Sequence, residues 1–329
     1  MKVLVTGGGG FLGFTIVQML VARGDEVIVL CRSEYPALAA LGVTVIRGDI
    51  AQPDIVIKAA KDCHAVIHTA AKAGMWGSFE LYHSANVSGT ENVIAACRHH
   101  QIGRLVYTSS PSVAYDREGS EGGDERLEYP GSYHSHYSAT KATAERAILA
   151  ANDQKLSTCA LRPHLIWGPR DTQLMPRLID RARKGRLRLV GDGQNLIDSI
   201  YVDNAARVHL LALDLLTPQA ACAGKVYFLS QDEPLQSADL INRILSTAGL
   251  PPCQKFISLG AATFIGTLFE ILYSIFRIKS EPPMTRFLAH QLASPHWFNI
   301  SAAKKDLGYR PDITIDEGIE RLRTWMQDA

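Results

Sequence analysis

A chain of 329 residues, 47% apolar and 20% charged, can bury a sizeable core and is expected to share it between a main domain and a smaller one. Its formal net charge of +1 offers no field to gather a polyanion, which sets nucleic acid aside as a partner. Six cysteines scattered without a CxxC pair read as reduced, mostly buried thiols, so neither a disulfide framework nor a metal site is expected. Met1-Lys2 runs straight into the apolar Val3–Val5, with no room for a signal peptide, and a cytoplasmic location is the default expectation.

In chain order, short β-branched runs alternate with helical patterns. Strands are predicted at Lys2–Thr6, Glu26–Cys31, Thr44–Arg47, Ala65–Thr69, Arg104–Thr108 and Thr158–Arg162, and helices at Phe11–Arg23, Tyr82–His100 and Tyr137–Ala151. Strands separated by helices imply parallel crossover units, hence an α/β fold of Rossmann type, a doubly wound parallel sheet with helices on both faces. Beyond about residue 170 the alternation fades into helical segments, with isolated strand-like pieces at Leu187–Val190 and Val226–Leu229. Residues 1–170 thus read as the sheet domain, with some later segments returning to it, and 171–329 as a smaller, mostly helical substrate domain.

Phe256–Ile278 is apolar enough, and long enough, to approach a bilayer span. Yet Thr263, Thr267, Glu270, Ser274 and Arg277 recur every three or four residues, giving a helix one polar stripe, and Glu270 would be costly in lipid. A helix covering an apolar substrate cavity or core is expected, its polar stripe in solvent and Phe264, Leu268, Ile271 and Ile275 turned towards the crevice. A peripheral membrane contact is the alternative.

The first strand runs into Thr6-Gly7-Gly8-Gly9-Gly10-Phe11-Leu12-Gly13, which opens the first helix. Gly7 permits a sharp turn, Gly10 lets backbone approach a pyrophosphate, and Gly13 allows close helix–strand packing. The N–H groups at Phe11 and Leu12 then face the anion with the positive end of the helix dipole. A flexible glycine turn is the plainer alternative, but strand, turn and helix stand in the order a dinucleotide site needs.

The second strand ends Cys31-Arg32-Ser33, where an NAD site normally places a carboxylate for the ribose hydroxyls. Arg32 and Ser33 suit a 2′-phosphate instead, so NADP(H) is the expected cofactor, unless Arg32 is only a solvated loop charge. Asp49 and Ile50 could hold the adenine amino group, although Asp49 could equally cap a helix. Ala70, Ala71 and Lys72 follow the fourth strand, where backbone must pass close to a cofactor.

Tyr137 and Lys141, four residues apart, share one face of a helix. A free tyrosine titrates near about 10, too high for rapid proton transfer at neutrality, and a neighbouring ammonium lowers that value. Lys141 can also hold the nicotinamide ribose. Thr108-Ser109-Ser110 ends the fifth strand, and in such sheets the carboxyl ends of strands line the ligand crevice. A hydroxyl there, Ser110 in preference to Ser109, can stabilise charge on a reacting carbonyl oxygen. A strand end capped by serines is the alternative.

Together these residues resemble the extended short-chain dehydrogenase/reductase family. The matching stretches are TGGGGFLG, TSS, YSATK, Leu161-Arg-Pro-His-Leu-Ile-Trp-Gly-Pro169, Tyr201-Val-Asp-Asn204 and Leu307-Gly-Tyr-Arg-Pro311, spread over essentially the whole chain. The resemblance implies a catalytic set of Ser110, Tyr137 and Lys141, joined by Asn86, with Thr108 on the cofactor and Pro163, His164 and Ile166 flanking the nicotinamide. Within the family the chain looks like the 3β-hydroxysteroid dehydrogenase branch. Leu196 stands where nucleotide-sugar epimerases and dehydratases usually carry an arginine.

A further set is similar to bacterial reductases of 2-alkyl-3-oxo acids in long-chain olefin synthesis: Ala70–Ser78, Arg162–Pro169, Ala221-Cys-Ala-Gly-Lys225 and Ser294-Pro-His-Trp297. This implies NADPH-dependent reduction of a long-chain 2-alkyl-3-oxo acid to the 3-hydroxy acid, by a homodimer that meets other enzymes of that pathway. Two rivals stay open. A sterol-type 3β-hydroxy-4-carboxylate dehydrogenase would prefer NAD, against Arg32. A non-catalytic NADP sensor or scaffold would not need Ser110, Tyr137 and Lys141. The substrate carboxylate requires a cationic or backbone partner that the sequence does not name.

Overall fold

The computed structural model describes residues 1–74, 76–115, 119–278 and 280–328. Met75, inside the Ala70–Ser78 stretch, lies outside the described residues. Seven strands build one parallel sheet: β1 (Lys2–Thr6), β2 (Glu26–Cys31), β3 (Thr44–Arg47), β4 (Ala65–His68), β5 (Arg104–Thr108), β6 (Ser157–Pro163) and β7 (Lys225–Leu229). Their order is β7-β6-β5-β4-β1-β2-β3.

The β1 residues show why the sheet is covered on both sides. Alternate side chains point to opposite faces. Val3 and Val5 pack with α1 (Phe11–Ala22) and α5 (Val202–Leu215) on one face. Leu4 packs with α2 (Pro53–Ala60), α3 (Gly89–His99) and α4 (His136–Ala150) on the other. Chain order reverses between β1 and β4, and the cleft at such a switch point is where doubly wound sheets bind ligands.

The strand-like piece near Val226 is the seventh strand of this sheet, registered Val226↔Ala160 and Leu229↔Pro163 against β6. Its Tyr227, Phe228 and Leu229 are buried, so a strand from late in the chain completes the early domain. Much of the remaining later chain, apart from α5, forms a smaller layer together with Ser120–Gly123. Leu235–Gln236, Leu196–Ile197, His296–Phe298 and Ser120–Gly123 make a short four-stranded sheet, beside α6 (Ser237–Thr247), α7 (Leu259–Ile275) and α8 (Arg286–Ala293).

Helix α7 corrects one expectation: Thr263, Thr267 and Glu270 of its polar stripe face inward, Ser274 and Arg277 stay exposed, and its apolar stripe turns outward. Gly266 brings α7 against the start of α8, where an added Cβ would stand 2.7 Å from the Thr285 carbonyl carbon. On that inner side Glu270 accepts from the Arg286 backbone N–H at 2.8 Å and from its Nε at 2.7 Å. Small residues permit the close crossing and the carboxylate satisfies the head of α8, so the bulky side chains are left outside. Phe264 is 72% exposed, Leu268 49%, Ile271 51% and Ile275 67%. Among the described residues, no helix is long and apolar enough to cross a membrane.

Candidate active site

The glycine turn stands at the switch point, and its shape is set by what surrounds it. Gly7 has φ +75°, in the left-handed region, and a Cβ there would lie 2.8 Å from the Ala70 Cα. At Gly13 a Cβ would lie 2.3 Å from the Gly7 carbonyl oxygen. Helix α1 begins without a side-chain cap at Gly10 and without an acid in its first turn. The N–H groups of Phe11, Leu12 and Gly13 therefore have no partner within the helix and are presented to an anion. This cradle, which any side chain would fill, fits a dinucleotide pyrophosphate.

Arg32 and Ser33 are exposed at the end of β2, and the Arg32 guanidinium joins no ion pair or side-chain hydrogen bond among the described residues. Arg47 stands opposite on β3 and reaches Glu34 at 3.4 Å. Asp49 turns its carboxylate to the Ala51 backbone N–H at 3.0 Å, a turn contact and not the helix cap left open by sequence, since Gln52 holds the cap position of α2. Ile50 is buried and gives its carbonyl to Asn92 at 2.9 Å. Ala70 and Ala71 sit in the passage beside Gly7, half-buried.

Helix α4 starts where the Ser135 hydroxyl accepts from the Ser138 N–H at 3.0 Å, which places Tyr137 in its first turn. Burial raises the Tyr137 pKa, and the neighbouring Ser110 hydroxyl opposes that rise. Ser110 also meets the Ser112 hydroxyl at 3.0 Å. One turn along, Lys141 is 2% exposed, and its Nζ donates to the Thr108 carbonyl at 2.5 Å and lies 4.1 Å from the centre of the Tyr107 ring. Burial pulls its pKa down to about 7, against the upward pull of Glu145. Ser110, Tyr137, Lys141 and Thr108 are thus brought together. Ser109 turns away, its hydroxyl buried without a partner.

Asn86 sits in a widened turn, His83–Ser88, between two helical stretches. Its Oδ1 accepts from the Lys72 N–H at 2.7 Å, while Nδ2 donates to the Lys72 carbonyl at 3.3 Å and to the Thr140 hydroxyl at 3.0 Å. The amide is therefore occupied in tying the loop after β4 to α4. None of these contacts is with Ser110, Tyr137 or Lys141, the set the resemblance implied it would join.

Three features escaped the sequence reading. Glu145, on α4, holds Arg162 of β6 at 2.6 and 2.9 Å, both side chains buried, and accepts the Tyr129 hydroxyl at 2.6 Å. Arg162 inside an apolar strand was the available signal. His68 is buried between the hydroxyls of Thr6 at 2.6 Å and Thr90 at 3.0 Å, and burial pulls its pKa down to about 3, so it is a neutral strut. His209 likewise fixes the Thr108 hydroxyl at 2.8 Å. Beyond β6, the His164 N–H bonds the Leu229 carbonyl at 3.0 Å, next to Pro163, and Ile166 pairs with Ile200.

A glycine turn at a Rossmann switch point, with a serine, tyrosine and lysine gathered at the neighbouring strand ends, defines an oxidoreductase of the extended short-chain dehydrogenase/reductase type. Residues 4–259 match the 3-beta hydroxysteroid dehydrogenase/isomerase family, and the chain belongs to it. It is 54% identical to the 2-alkyl-3-oxoalkanoate reductase of Stenotrophomonas maltophilia, over 98% of both chains. It is 45% identical to the enzyme of the same name from Shewanella oneidensis, over 97% of this chain and 84% of that one. A mouse sterol-4-alpha-carboxylate 3-dehydrogenase, decarboxylating, is 35% identical over 97% of this chain and 89% of its own. The fold matches that of a Bacillus cereus UDP-glucuronic acid 4-epimerase solved with NAD, at TM-score 0.75 and 23% identity, over 100% of this chain and 99% of that one.

Proposed function

We propose that this protein reduces a long-chain 2-alkyl-3-oxo acid to the 2-alkyl-3-hydroxy acid with NADPH, as a step towards long-chain olefins. The observation that carries the reading is the approach of the Ser110 and Tyr137 hydroxyls, close enough to bear on the tyrosine's titration, with Lys141 one turn further along α4 and bonded to the Thr108 carbonyl. When held at the glycine turn and Arg32, NADPH would supply a hydride for carbon 3. Ser110 donates a hydrogen bond to the 3-oxo oxygen and stabilises the charge that builds there. Tyr137 gives that oxygen its proton. The Lys141 ammonium then stabilises the phenolate left behind. Asn86 and Glu145 act one step back, holding the Lys72 loop and α4 in place.

NADPH is favoured over NADH because the end of β2 offers exposed Arg32 and Ser33, with Arg47 beside them. A bidentate guanidinium contact suits a 2′-phosphate. Initial rates with both dinucleotides, on a panel of 2-alkyl-3-oxo acids and a 4-carboxysterol, test the reading. The highest kcat/KM is expected for NADPH with a long-chain 3-oxo acid. Preference for the carboxysterol with NAD would move the protein to the sterol branch.

The outward stripe of α7 belongs to the same reading, as a peripheral contact of a cytoplasmic enzyme with an anionic lipid surface. Leu189–Val190 pairs with Phe256–Ile257, which sets exposed Arg188 and Lys255 at the start of α7, while exposed Arg277 follows its end. Arg183, Lys184 and Arg186 are exposed nearby in sequence, and the helix's own acid, Glu270, is neutralised by Arg286. An apolar stripe bordered by cations suits such a surface.

A further inference from the structure

Two buried histidines beside the crevice carry ring nitrogens that the protein does not satisfy. His164 and His296 are each 6% exposed, and the Nδ1 of each has no hydrogen-bond partner. Their rings meet edge to face, with centres 4.9 Å apart. Leaving a buried polar atom unpaired is destabilising, so two adjacent ones need a reason.

Their surroundings are otherwise well closed. The Nε2 of His296 donates to the Gln291 carbonyl at 2.8 Å. Tyr115 stacks on His296 at 6.3 Å and accepts from the Gln291 Nε2 at 2.9 Å, which leaves the Tyr115 hydroxyl proton free to donate. Phe298 closes the apolar side, 5.4 Å from His164 and 5.7 Å from Tyr115. The group adjoins the reacting hydroxyls. His164 follows the end of β6, beside the β5 end that bears Ser110, where the Ser109 N–H bonds the Leu161 carbonyl at 2.6 Å. Tyr115 follows the short turn Pro111–Val113 directly after Ser110.

Because the Gln291 carbonyl can only accept, the Nε2 of His296 carries a hydrogen, and a neutral ring has a bare lone pair at Nδ1. Only the protonated ring has a donor there. Burial holds both rings below the ordinary histidine value, His164 well below it, so both are neutral until an anion arrives. Titratable groups on neighbouring elements include Tyr115, Asp198 and exposed Glu121, His290 on α8, Arg162 on β6, which is paired with Glu145, and Glu125, which takes the Phe228 N–H. Asp198 takes the Phe298 N–H at 2.7 Å, and burial raises its pKa to about 7, so it is only about half ionised at neutrality.

We propose that His296 and His164, with the Tyr115 hydroxyl, form the subsite for the substrate's carboxylate, and that His296 takes up a proton as the anion enters. The inference rests on the proposed reaction. In a 3-oxo acid one carbon separates the carboxyl carbon from the carbonyl carbon. A carboxylate partner must therefore lie next to Ser110 and Tyr137, as this group does.

Calorimetry on the NADP⁺-loaded enzyme tests it, using a 2-alkyl-3-hydroxy acid, its methyl ester and tetradecanoate, in two buffers of different ionisation enthalpy. The acid should bind about tenfold or more tighter than the ester, the scale of a charge-assisted hydrogen bond, with uptake of close to one proton. His296→Phe should abolish both the preference and the uptake, while affinity for the ester persists. His296→Gln, which restores a donor, should recover part of the preference without proton uptake. Equal losses for acid and ester in His296→Phe, or acid binding without proton uptake in the unaltered enzyme, would overturn the subsite. If no 2-alkyl-3-oxo acid is reduced, the proposed reaction falls. Tetradecanoate binding with proton uptake at His296 would then still establish a carboxylate site, and its absence would remove that too.

Discussion

Around the strand ends of the large sheet, most buried polar groups are closed by partners within the chain. Asn86 closes on Lys72 and Thr140, His68 on Thr6 and Thr90, and Glu145 on Arg162 and Tyr129. The substrate side contrasts with this. Its strands run to two or three residues at Leu196–Ile197, Leu235–Gln236 and His296–Phe298, the Nδ1 of His296 is buried and unpaired beside that of His164 from the end of β6, and α7 turns its largest side chains outward. Closure in the first region comes from backbone geometry and a parallel register. In the second, the His296 Nδ1 and the outer side chains of α7 are left open, and both are proposed to meet molecules from outside the chain. Substitutions in the first region should therefore cost folding or chemistry, and those in the second should cost recognition.

The largest expected effect is on stability. Glu145→Gln leaves Arg162 charged and buried, 2% exposed, without its counter-ion, and should destabilise the fold by about 3–5 kcal/mol in urea unfolding. The same change removes the charge that holds the Lys141 pKa up, so the ammonium should be lost at a lower pH than about 7. The alkaline fall in reduction rate should move down accordingly. An unchanged unfolding midpoint would show that the pair is not closed as described.

Tyr137→Phe should keep NADPH affinity while turnover falls by about a hundredfold or more, the scale of a lost general acid. Turnover near that of the unaltered enzyme would remove Tyr137 from the mechanism. Arg32→Glu should weaken NADPH by roughly tenfold or more, since a charge-assisted contact becomes a repulsion. NADH should lose much less, measured as the ratio of dissociation constants. Equal losses would show that Arg32 does not read a 2′-phosphate.

The contrast also explains what the sequence could and could not disclose. Gly7 and Gly13 are legible because the constraint is local: a turn, a helix start and a close backbone neighbour. The strand and helix alternation is legible because burial on both faces leaves continuous apolar runs. The strand at Lys225–Leu229 has such a run, but nothing local says which sheet it joins. Likewise, the stripes of α7 reveal two faces without revealing which one meets α8. That choice rests on the close approach at Gly266 and on the Arg286 group that Glu270 satisfies. Asn86 was found by resemblance, yet its task depends on Lys72 and Thr140, which approach it only in the folded chain.

The smallest effect on stability is expected on α7, and it separates the two regions most directly. A residue in the domain core loses several kcal/mol when a large apolar side chain is replaced by a charge, through cavity and desolvation together. Leu268 and Ile271 are 49% and 51% exposed, so Leu268→Glu and Ile271→Glu should shift stability by no more than about 0.5 kcal/mol. Reduction of a short, soluble 3-oxo acid should be unaffected, because neither side chain belongs to the Ser110–Tyr137–Lys141 group. Binding to vesicles should respond instead. The unaltered protein is expected to sediment with vesicles rich in anionic phospholipid and far less with zwitterionic ones, and added salt should weaken the contact. Each glutamate would both remove apolar area and oppose the surface charge, so sedimentation should fall sharply at unchanged unfolding midpoint. Failure of the unaltered protein to sediment with anionic vesicles would exclude a lipid surface. A large fall in stability would return α7 to the domain core.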